Sequence, residues 1–267
     1  MKTPVISAHY DRSSSRTQLD KGSSYFLRIA SAVDGEDMHC VICGREVDPD
    51  SFCADRYNQV ACSHHRLRAC RFCKRIIVGD GVEVPHFGTV CGKCGVERDY
   101  KELEAVRGFV YDFFREHRLY LPSFRLRLVS AEEMHAQYAD CFGATPRGVA
   151  VSDGGDGYVV NIMRQMSRIG LAQTLTHELT HLWQWHRNIE APETYCEGFC
   201  NLIAFLVISR INKGEALVHL SEMMENPDPA YGAAFRELKI VYDVYGWDTV
   251  VAAMKKFTNH SKGLPEG

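Results

Sequence analysis

The spacing of apolar residues along the chain predicts one amphipathic helix, then a small sheet, then more helices. Between residues 98 and 118, apolar residues recur every three or four positions among charged ones, as they do on one face of a helix. After Pro122, short segments rich in apolar or β-branched residues predict strands over residues 124–129, 148–151 and 158–163. Helical spacing returns over residues 167–186, 192–211 and 231–257. We therefore expect an α+β domain that carries its chemistry on the helices.

Cysteine position divides the chain into three parts. Eight of the eleven cysteines lie between Cys40 and Cys94, which indicates a small zinc module ahead of a larger domain. We expect a polar leader over residues 1–36, to which no function is assigned, a zinc module over residues 37–97 and the larger domain over residues 98–267.

Composition places the chain among ordinary globular proteins. Its hydrophobic content is 45%, its charged content is 24% and its formal net charge is −3, which indicate neither a disordered nor a membrane protein. The first residues contain no apolar stretch that could serve as a signal peptide, and the longest apolar run, residues 202–208, is too short to span a bilayer. We therefore expect a cytoplasmic protein without a membrane partner, in which cysteines bind metal rather than form disulfides.

Residues 177–181 read His-Glu-Leu-Thr-His, the HExxH pattern of zinc peptidases. On a helix, the imidazoles of His177 and His181 lie just over one turn apart and point toward one metal ion. Glu178 lies beside them, where its carboxylate can act as a general base on a zinc-bound water. The apolar residues of this segment fall on the opposite side of the helix and are expected to face the core: Leu171, Leu175, Leu179, Leu182 and Trp183.

A catalytic zinc also needs a third protein ligand, and the next predicted helix is the expected source. Glu197 lies inside that helix, just before its apolar run, and is predicted to bind the metal. Glu190 and Glu193 are alternatives, but near the loop they are better explained by solvation or helix capping. His186 is excluded as the third metal ligand because it lies on the apolar side of the helix that carries His177 and His181. Asn201, one turn after Glu197, is predicted to hold a ligand in place.

Three Cys-x-x-Cys pairs and one Cys-x-x-His pair predict two closed tetrahedral sites, which are typical of structural zinc. The first set is Cys40, Cys43, Cys62 and His65, and the second is Cys70, Cys73, Cys91 and Cys94. His64 is an alternative to His65, and Cys53 is expected to be a free buried thiol. Order and spacing resemble a LIM domain, although the spacer after His65 is longer than usual and the Cys/His order is inverted.

The helix sequence HELTHLWQ, followed by Glu197-Gly198-Phe199-Cys200-Asn201, resembles the DA1 family of metallopeptidases. That family joins a LIM-like zinc module to a peptidase domain. The likeness includes Thr145-Pro146-Arg147-Gly148-Val149, the strand 159–163 and Tyr231-Gly232, and it covers about residues 38–260. The resemblance implies a zincin-like, gluzincin-type peptidase domain with a small antiparallel sheet and active-site helices. It also implies zinc ligands at His177, His181 and Glu197, and a catalytic base at Glu178.

The expected function is therefore hydrolysis of peptide bonds in protein substrates, with one catalytic and two structural Zn2+ ions. Plant and animal members of the DA1 family are associated with ubiquitin, often through ubiquitin-interacting helices. No acidic run leading into a Leu-x-x-Ala-x-x-x-Ser pattern occurs in this sequence. Ubiquitin dependence is therefore not carried over from the family to this chain.

Two other functions are consistent with the motifs. In the first, the LIM-like module binds a protein partner and the larger domain is an inert scaffold; an intact Glu178 argues against it. In the second, the protease acts at nucleic acid, since the module is locally basic at Arg66, Arg68, Arg71, Lys74 and Arg75. Few aromatic residues interleave these side chains and the net charge is slightly negative, so a nucleic-acid partner is not expected.

Two further roles are left open by the sequence. Strand 158–163 either forms an exposed edge that pairs with an extended substrate or is an ordinary structural strand. Tyr195 and His186 are candidates for the group that stabilises the transition state.

Overall fold

The computed structural model describes residues 6–9, 38–152, 157–211 and 214–259. The first elements are β1 (Ile6–His9), β2 (Phe52–Ala54), β3 (Val60–Cys62), β4 (Val82–Val84), β5 (Gly88–Val90) and α1 (Gly92–Gly95). Next come α2 (Tyr100–Glu116), β6 (Phe124–Val129), α3 (Ala131–Phe142), β7 (Gly148–Ser152), β8 (Tyr158–Met163) and α4 (Arg168–His186). The chain continues with α5 (Glu193–Ser209), α6 (Glu215–Glu225), a π-helical segment (Pro229–Ala234) and α7 (Phe235–Lys255). The fold is thus mixed α+β, as predicted.

Four strands form the main sheet in the order β1, β7, β8, β6. β7 pairs antiparallel with both β1 and β8, whereas β6 and β8 run parallel. β6 and β8 can run parallel because α3 and β7 lie between them in the chain. These two elements return the chain to the end of the sheet at which β6 began, and β8 starts from there. The sheet is therefore mixed, whereas the two hairpins of the predicted zinc module are antiparallel.

Of the two alternatives for residues 158–163, the structure supports the ordinary structural strand and contradicts the exposed edge. β8 is hydrogen-bonded on one side to β7 and on the other to β6, so it has no free edge for a substrate. Its last four residues are buried, which explains the apolar run that suggested a strand.

Helices α4 and α5 pack against each other and form the centre of the larger domain. The Ser167 hydroxyl caps α4 by accepting a hydrogen bond from the N–H of Gly170 at 3.0 Å. The five apolar residues predicted to face the core are buried, but the opposite side of α4 is buried as well. Two buried threonines on that helix need no outside partner, because Thr176 and Thr180 donate to backbone carbonyls four residues earlier.

The predicted zinc module consists of two similar halves. In each, a Cys-x-x-Cys turn precedes a short hairpin, β2–β3 in the first half and β4–β5 in the second. The buried Asp55 carboxylate joins them by accepting from the N–H groups of Tyr57 and Gln59 in the first half and of Ile76 in the second. The first half has its own apolar core, whereas the second half shares the core of the larger domain.

Strand β1 belongs to the predicted polar leader, in which Ile6–His9 extends the main sheet. The rest of that leader, residues 1–5 and 10–36, lies outside the described residues. Within the described part of the chain, no helix is both long and apolar enough to cross a membrane.

Candidate metal centre

Helices α4 and α5 bring His177, His181 and Glu197 together. The Nε2 atoms of the two histidines lie 3.1 Å apart, and the Glu197 carboxylate places one oxygen 3.0 Å from His177 Nε2 and the other 3.5 Å from His181 Nε2. A tetrahedral zinc with bonds of about 2.1 Å separates its ligand atoms by about 3.4 Å. The three side chains therefore have the spacing of ligands around one ion.

Two amide side chains determine where the imidazole protons lie. Asn201 donates its Nδ2 to the carbonyl of Tyr231, so its Oδ1 faces His177 Nδ1 at 3.0 Å. Gln184 likewise donates its Nε2 to the carbonyl of Cys196, so its Oε1 faces His181 Nδ1 at 3.0 Å. Because an amide oxygen only accepts, each Nδ1 must carry a proton, and each neutral ring then presents an unprotonated Nε2.

The resulting arrangement is compatible with a bound cation. Two Nε2 lone pairs and a carboxylate converge on one buried point, and Glu197 Oε2 has no hydrogen-bond partner within the described residues. Burial lowers the pKa of His177, which keeps that ring neutral. Burial also lowers the basicity of His181, yet the adjacent Glu197 carboxylate raises its pKa overall. That carboxylate therefore favours positive charge beside it, and two imidazoles with one carboxylate suit Zn2+.

Cys200 also lies near the histidines, since its Sγ and one ligand atom each of His177 and His181 lie within 4.8 Å of one another. Its Sγ, however, is 3.5 Å from His181 Nδ1, the protonated nitrogen, and 3.6 Å from Gln184 Oε1. Burial raises the pKa of this thiol well above its usual range. Cys200 therefore stays a neutral thiol on the far side of the ring, and Glu197 faces the Nε2 atoms.

Glu178 is fully buried and points toward the sheet. Its Oε2 accepts a hydrogen bond from the N–H of Ala150 on β7 at 2.9 Å. β7 can approach α4 this closely because of Gly148, where a Cβ would collide with Thr174 and lie 3.0 Å from Glu178 Cγ. The carboxylate of Glu178 is thus held between β7 and the two histidines of its own helix.

Tyr231 is a site residue that was not assigned a role from the sequence. It lies in the π-helical segment, with its ring stacked on His177 at 6.0 Å between centroids. The segment packs closely on α5 at Gly198, where a Cβ would lie 2.8 Å from the carbonyl carbon of Ala234. The glycine after Glu197 therefore lets the π-helical segment, and with it Tyr231, reach the metal centre. Burial and the Glu197 carboxylate raise the pKa of Tyr231, so its hydroxyl stays protonated.

The other candidates from the sequence lie away from this centre. Glu193 is exposed in the first turn of α5, and Glu190 is exposed and accepts from Asn259 Nδ2 at 2.8 Å. Tyr195 is exposed, and His186 ends α4 in a half-buried position. Trp185 was not singled out by the sequence, but it stacks on His181 at 6.0 Å and shields that side of the ring.

The cysteines form two further groups that could hold metal ions. Cys40, Cys43, Cys62 and His65 make one, in which His65 rather than His64 lies with the thiols, and Cys70, Cys73, Cys91 and Cys94 make the other. The sulfurs of Cys43 and Cys62 are 4.0 Å apart, and those of Cys73 and Cys91 are 3.7 Å apart. Tetrahedral Zn–S bonds of about 2.3 Å give about 3.8 Å, whereas a disulfide needs about 2.05 Å. These sulfur–sulfur distances are therefore compatible with ligands of one metal ion and are too long for disulfide bonds.

Backbone N–H groups lower the pKa of one thiol in the first cluster. Burial alone would raise the pKa of Cys40, but the N–H groups of Cys62 and Ile42 donate to its Sγ and bring the pKa to about 6. Burial and the neighbouring thiols raise the pKa of Cys62 to about 11. One thiolate therefore forms readily, and a metal ion would drive the ionisation of the others.

The basic side chains of the zinc module are partly engaged within the protein. Arg71 donates to the Phe87 carbonyl, Lys74 is buried against the Arg71 carbonyl, and Arg75 stacks 3.8 Å above the Tyr57 ring. Arg66 and Arg68 are exposed. Three of the five basic side chains therefore have partners within the protein.

No protein-family model, curated protein or solved structure matches this chain.

The amides behind the histidines give a first prediction. Removing Gln184 or Asn201 by substitution with alanine should lower the affinity of this centre for Zn2+ about 10- to 100-fold, because the ring loses the acceptor that fixes its proton on Nδ1. Competition with a zinc chelator measures the affinity. Gln137→Ala, at an exposed position of α3, is the matched control and should leave zinc affinity unchanged.

Proposed function

We propose that this chain is a zinc-dependent metallopeptidase of the DA1 type, with a gluzincin-like site in which His177, His181 and Glu197 bind the catalytic metal. The observation that carries the proposal is the convergence of two unprotonated Nε2 atoms and one carboxylate on a single point. Glu178, on the same helix as the histidines, adds the acid–base group that a hydrolase needs and that a purely structural metal site does not.

The residues of the site have separate roles in peptide hydrolysis. A zinc ion bound here would polarise the substrate carbonyl and make water more acidic. Glu178 accepts the proton of the attacking water and delivers it to the leaving amine, since a carboxylate in this position can carry a proton between the two. The N–H of Ala150 donates to one oxygen of Glu178 and so fixes the carboxylate against β7.

Tyr231 is proposed to donate a hydrogen bond to the oxyanion that forms on the attacked carbonyl. Its hydroxyl is protonated and lies at the Glu197 side of the centre. Tyr231→Phe should lower kcat about 10²-fold with little change in KM, because the hydroxyl would act mainly in the transition state. Steady-state kinetics on an unfolded protein substrate measures both constants. A purely structural tyrosine would instead lower the thermal midpoint and leave kcat of the folded fraction unchanged.

The zinc module is proposed to be LIM-like, with one structural zinc in each cysteine cluster. Its two halves have the order of Cys-x-x-Cys turns and hairpins that such a module needs, and the sulfur spacing fits tetrahedral metal. The module is also a candidate surface for a protein substrate or partner, because its first half packs outside the main core.

A proteome-wide comparison of cleavage tests the proposed function. The native protein and Glu178→Gln, each loaded with zinc, are incubated with a cell extract, and new peptide N-termini are identified by mass spectrometry. The proposal expects N-termini that only the native protein generates. If both proteins retain metal and fold, and no N-terminus differs, the larger domain is a scaffold and the adaptor function is favoured.

A further inference from the structure

The leader strand β1 lies along the outer edge of β7. The register pairs Ile6 with Val151, Ser7 with Ala150, Ala8 with Val149 and His9 with Gly148. The other edge of β7 is hydrogen-bonded to β8, so β1 takes the edge of β7 that is left. The chain thus covers one edge of its own sheet with a four-residue segment that is distant in sequence.

That edge lies beside the catalytic machinery proposed above. The N–H of Ala150 donates to Glu178, and Ala150 is the residue that pairs with Ser7. β1 also lies against α4, the helix that carries Glu178 and both histidines. The opposite edge of the sheet, on β6, is separated from β7 by β8. A peptide that pairs with the sheet next to Glu178 therefore needs the position that β1 holds.

The reacting groups are closed off in this arrangement. His177 and Glu178 are 0% exposed, His181 is 3% exposed and Glu197 is 7% exposed. A hydrolase must admit its substrate to these atoms, so part of the chain has to move first. An extended polypeptide binds to a sheet edge mainly through main-chain hydrogen bonds, and such an edge cannot hold two strands at once.

We propose that Ile6–His9 is an internal, substrate-like strand that blocks the β7 edge, and that an extended polypeptide binds there when the leader leaves. This inference rests on the proposed peptidase function. This strand inhibits because it is part of the same chain and therefore competes with substrate for the β7 edge at an effective concentration on the order of 1 mM. It is also reversible, because four residue pairs at a sheet edge make a short strand that can be displaced.

A pair of prolines in the full-length chain tests the proposal. Ser7→Pro combined with Ala8→Pro removes two adjacent N–H groups, so a pairing hydrogen bond is lost whichever of them faces β7. Ser13→Pro combined with Ser14→Pro is the matched control, because it adds two prolines to the same leader outside the strand. Hydrogen exchange of residues 148–152 reports on the edge, with residues 124–129 of β6 as the internal reference. A labelled peptide with the sequence of residues 1–12 reports on binding to the vacated edge.

The S7P/A8P protein should exchange residues 148–152 at least tenfold faster than native and control proteins. It should also bind the peptide at least tenfold more tightly and cleave an unfolded protein at least tenfold faster. Unchanged exchange, or peptide binding equal to that of the native protein, overturns the proposal. Cleavage by the S7P/A8P protein at the native rate also overturns the proposal. If no variant cleaves at all while exchange and binding rise, the peptidase function fails and the occupied edge stands.

Discussion

Replacing Glu178 by glutamine is expected to lower kcat/KM for protein substrates about 10³-fold, within the range that a general acid–base group contributes. Glutamine keeps the size of the side chain and can still accept the N–H of Ala150, but it cannot take a proton from water. The thermal midpoint and the zinc content should therefore stay close to native values, and the loss should appear mainly in kcat.

Glu193→Gln is the matched control for this substitution. Glu193 lies on α5 in the same part of the fold, but it is exposed and makes no contribution to the metal centre. The control should cleave like the native protein. Cleavage by Glu178→Gln at the native rate, with zinc retained, would show that this carboxylate is not the base.

Replacing Cys94 by serine should destabilise the larger domain as well as the zinc module. Cys94 is fully buried, and its cluster belongs to the same apolar core as α4 and α5. Structural zinc is worth about 10–16 kcal/mol in zinc-finger peptides, so we expect a loss of about 5 kcal/mol in the free energy of unfolding. The thermal midpoint should fall by about 10–20 °C in differential scanning calorimetry.

The same substitution should also reduce catalysis through β7. The Arg147 guanidinium lies 5.0 Å from the centre of the Phe72 ring, inside the Cys70/Cys73 turn, and donates to the Arg71 carbonyl. Arg147 immediately precedes Gly148, which contacts Glu178. Loss of the proposed zinc ion from the second cluster would therefore remove a support of β7, the strand that contacts the proposed base Glu178.

Cys43→Ser provides the contrast, because its cluster packs in the separate core of the first half of the module. It should lose one zinc, lower the midpoint less and leave kcat of the folded protein near native. If Cys43→Ser and Cys94→Ser have equal effects on activity, the second half of the module is not coupled to the proposed peptidase site, contrary to what the shared core implies.

The sequence predicted the long helices because their apolar spacing is repeated over several turns. It predicted strands β6, β7 and β8 of the main sheet because short apolar segments are bounded by glycine and proline. Strands 124–129 and 158–163 match β6 and β8, and α2, α4 and α5 begin and end within two residues of their predicted limits. Helix α3 was missed because its stability depends on the capping box of Ser130 and Glu133 more than on an apolar stripe. Helix α6 was missed because it follows α5 after a short break.

The apolar spacing also underestimated the burial of α4. An amphipathic helix was expected, but α5, α2 and β7 cover its other sides. Threonine, glutamine and histidine at those positions look solvent-facing in a sequence, and only tertiary contacts show that their polar atoms are satisfied internally. Burial of this kind is typical of a helix whose polar residues serve a site rather than the solvent.

At the metal centre, the motif predicted the residues that share one helix, and Glu197 was predicted from its place on the next. The structure brings all of them to one point. Gln184 and Tyr231 had no comparable signal, since Gln184 acts through its hydrogen bond to His181 and Tyr231 reaches the site only because α5 has glycine at position 198. Gln184 follows His181 by three residues on the same helix, a spacing that could have suggested a partner for the ring.

Metal content per chain tests the central claim most directly. Protein prepared with sufficient zinc and freed of unbound metal is analysed by inductively coupled plasma mass spectrometry, for the native chain and for His177→Ala. The account predicts about three zinc ions in the native protein and about two in His177→Ala, with both cysteine clusters still filled. Two zinc ions in the native protein, unchanged by the substitution, would show that His177, His181 and Glu197 do not bind a metal.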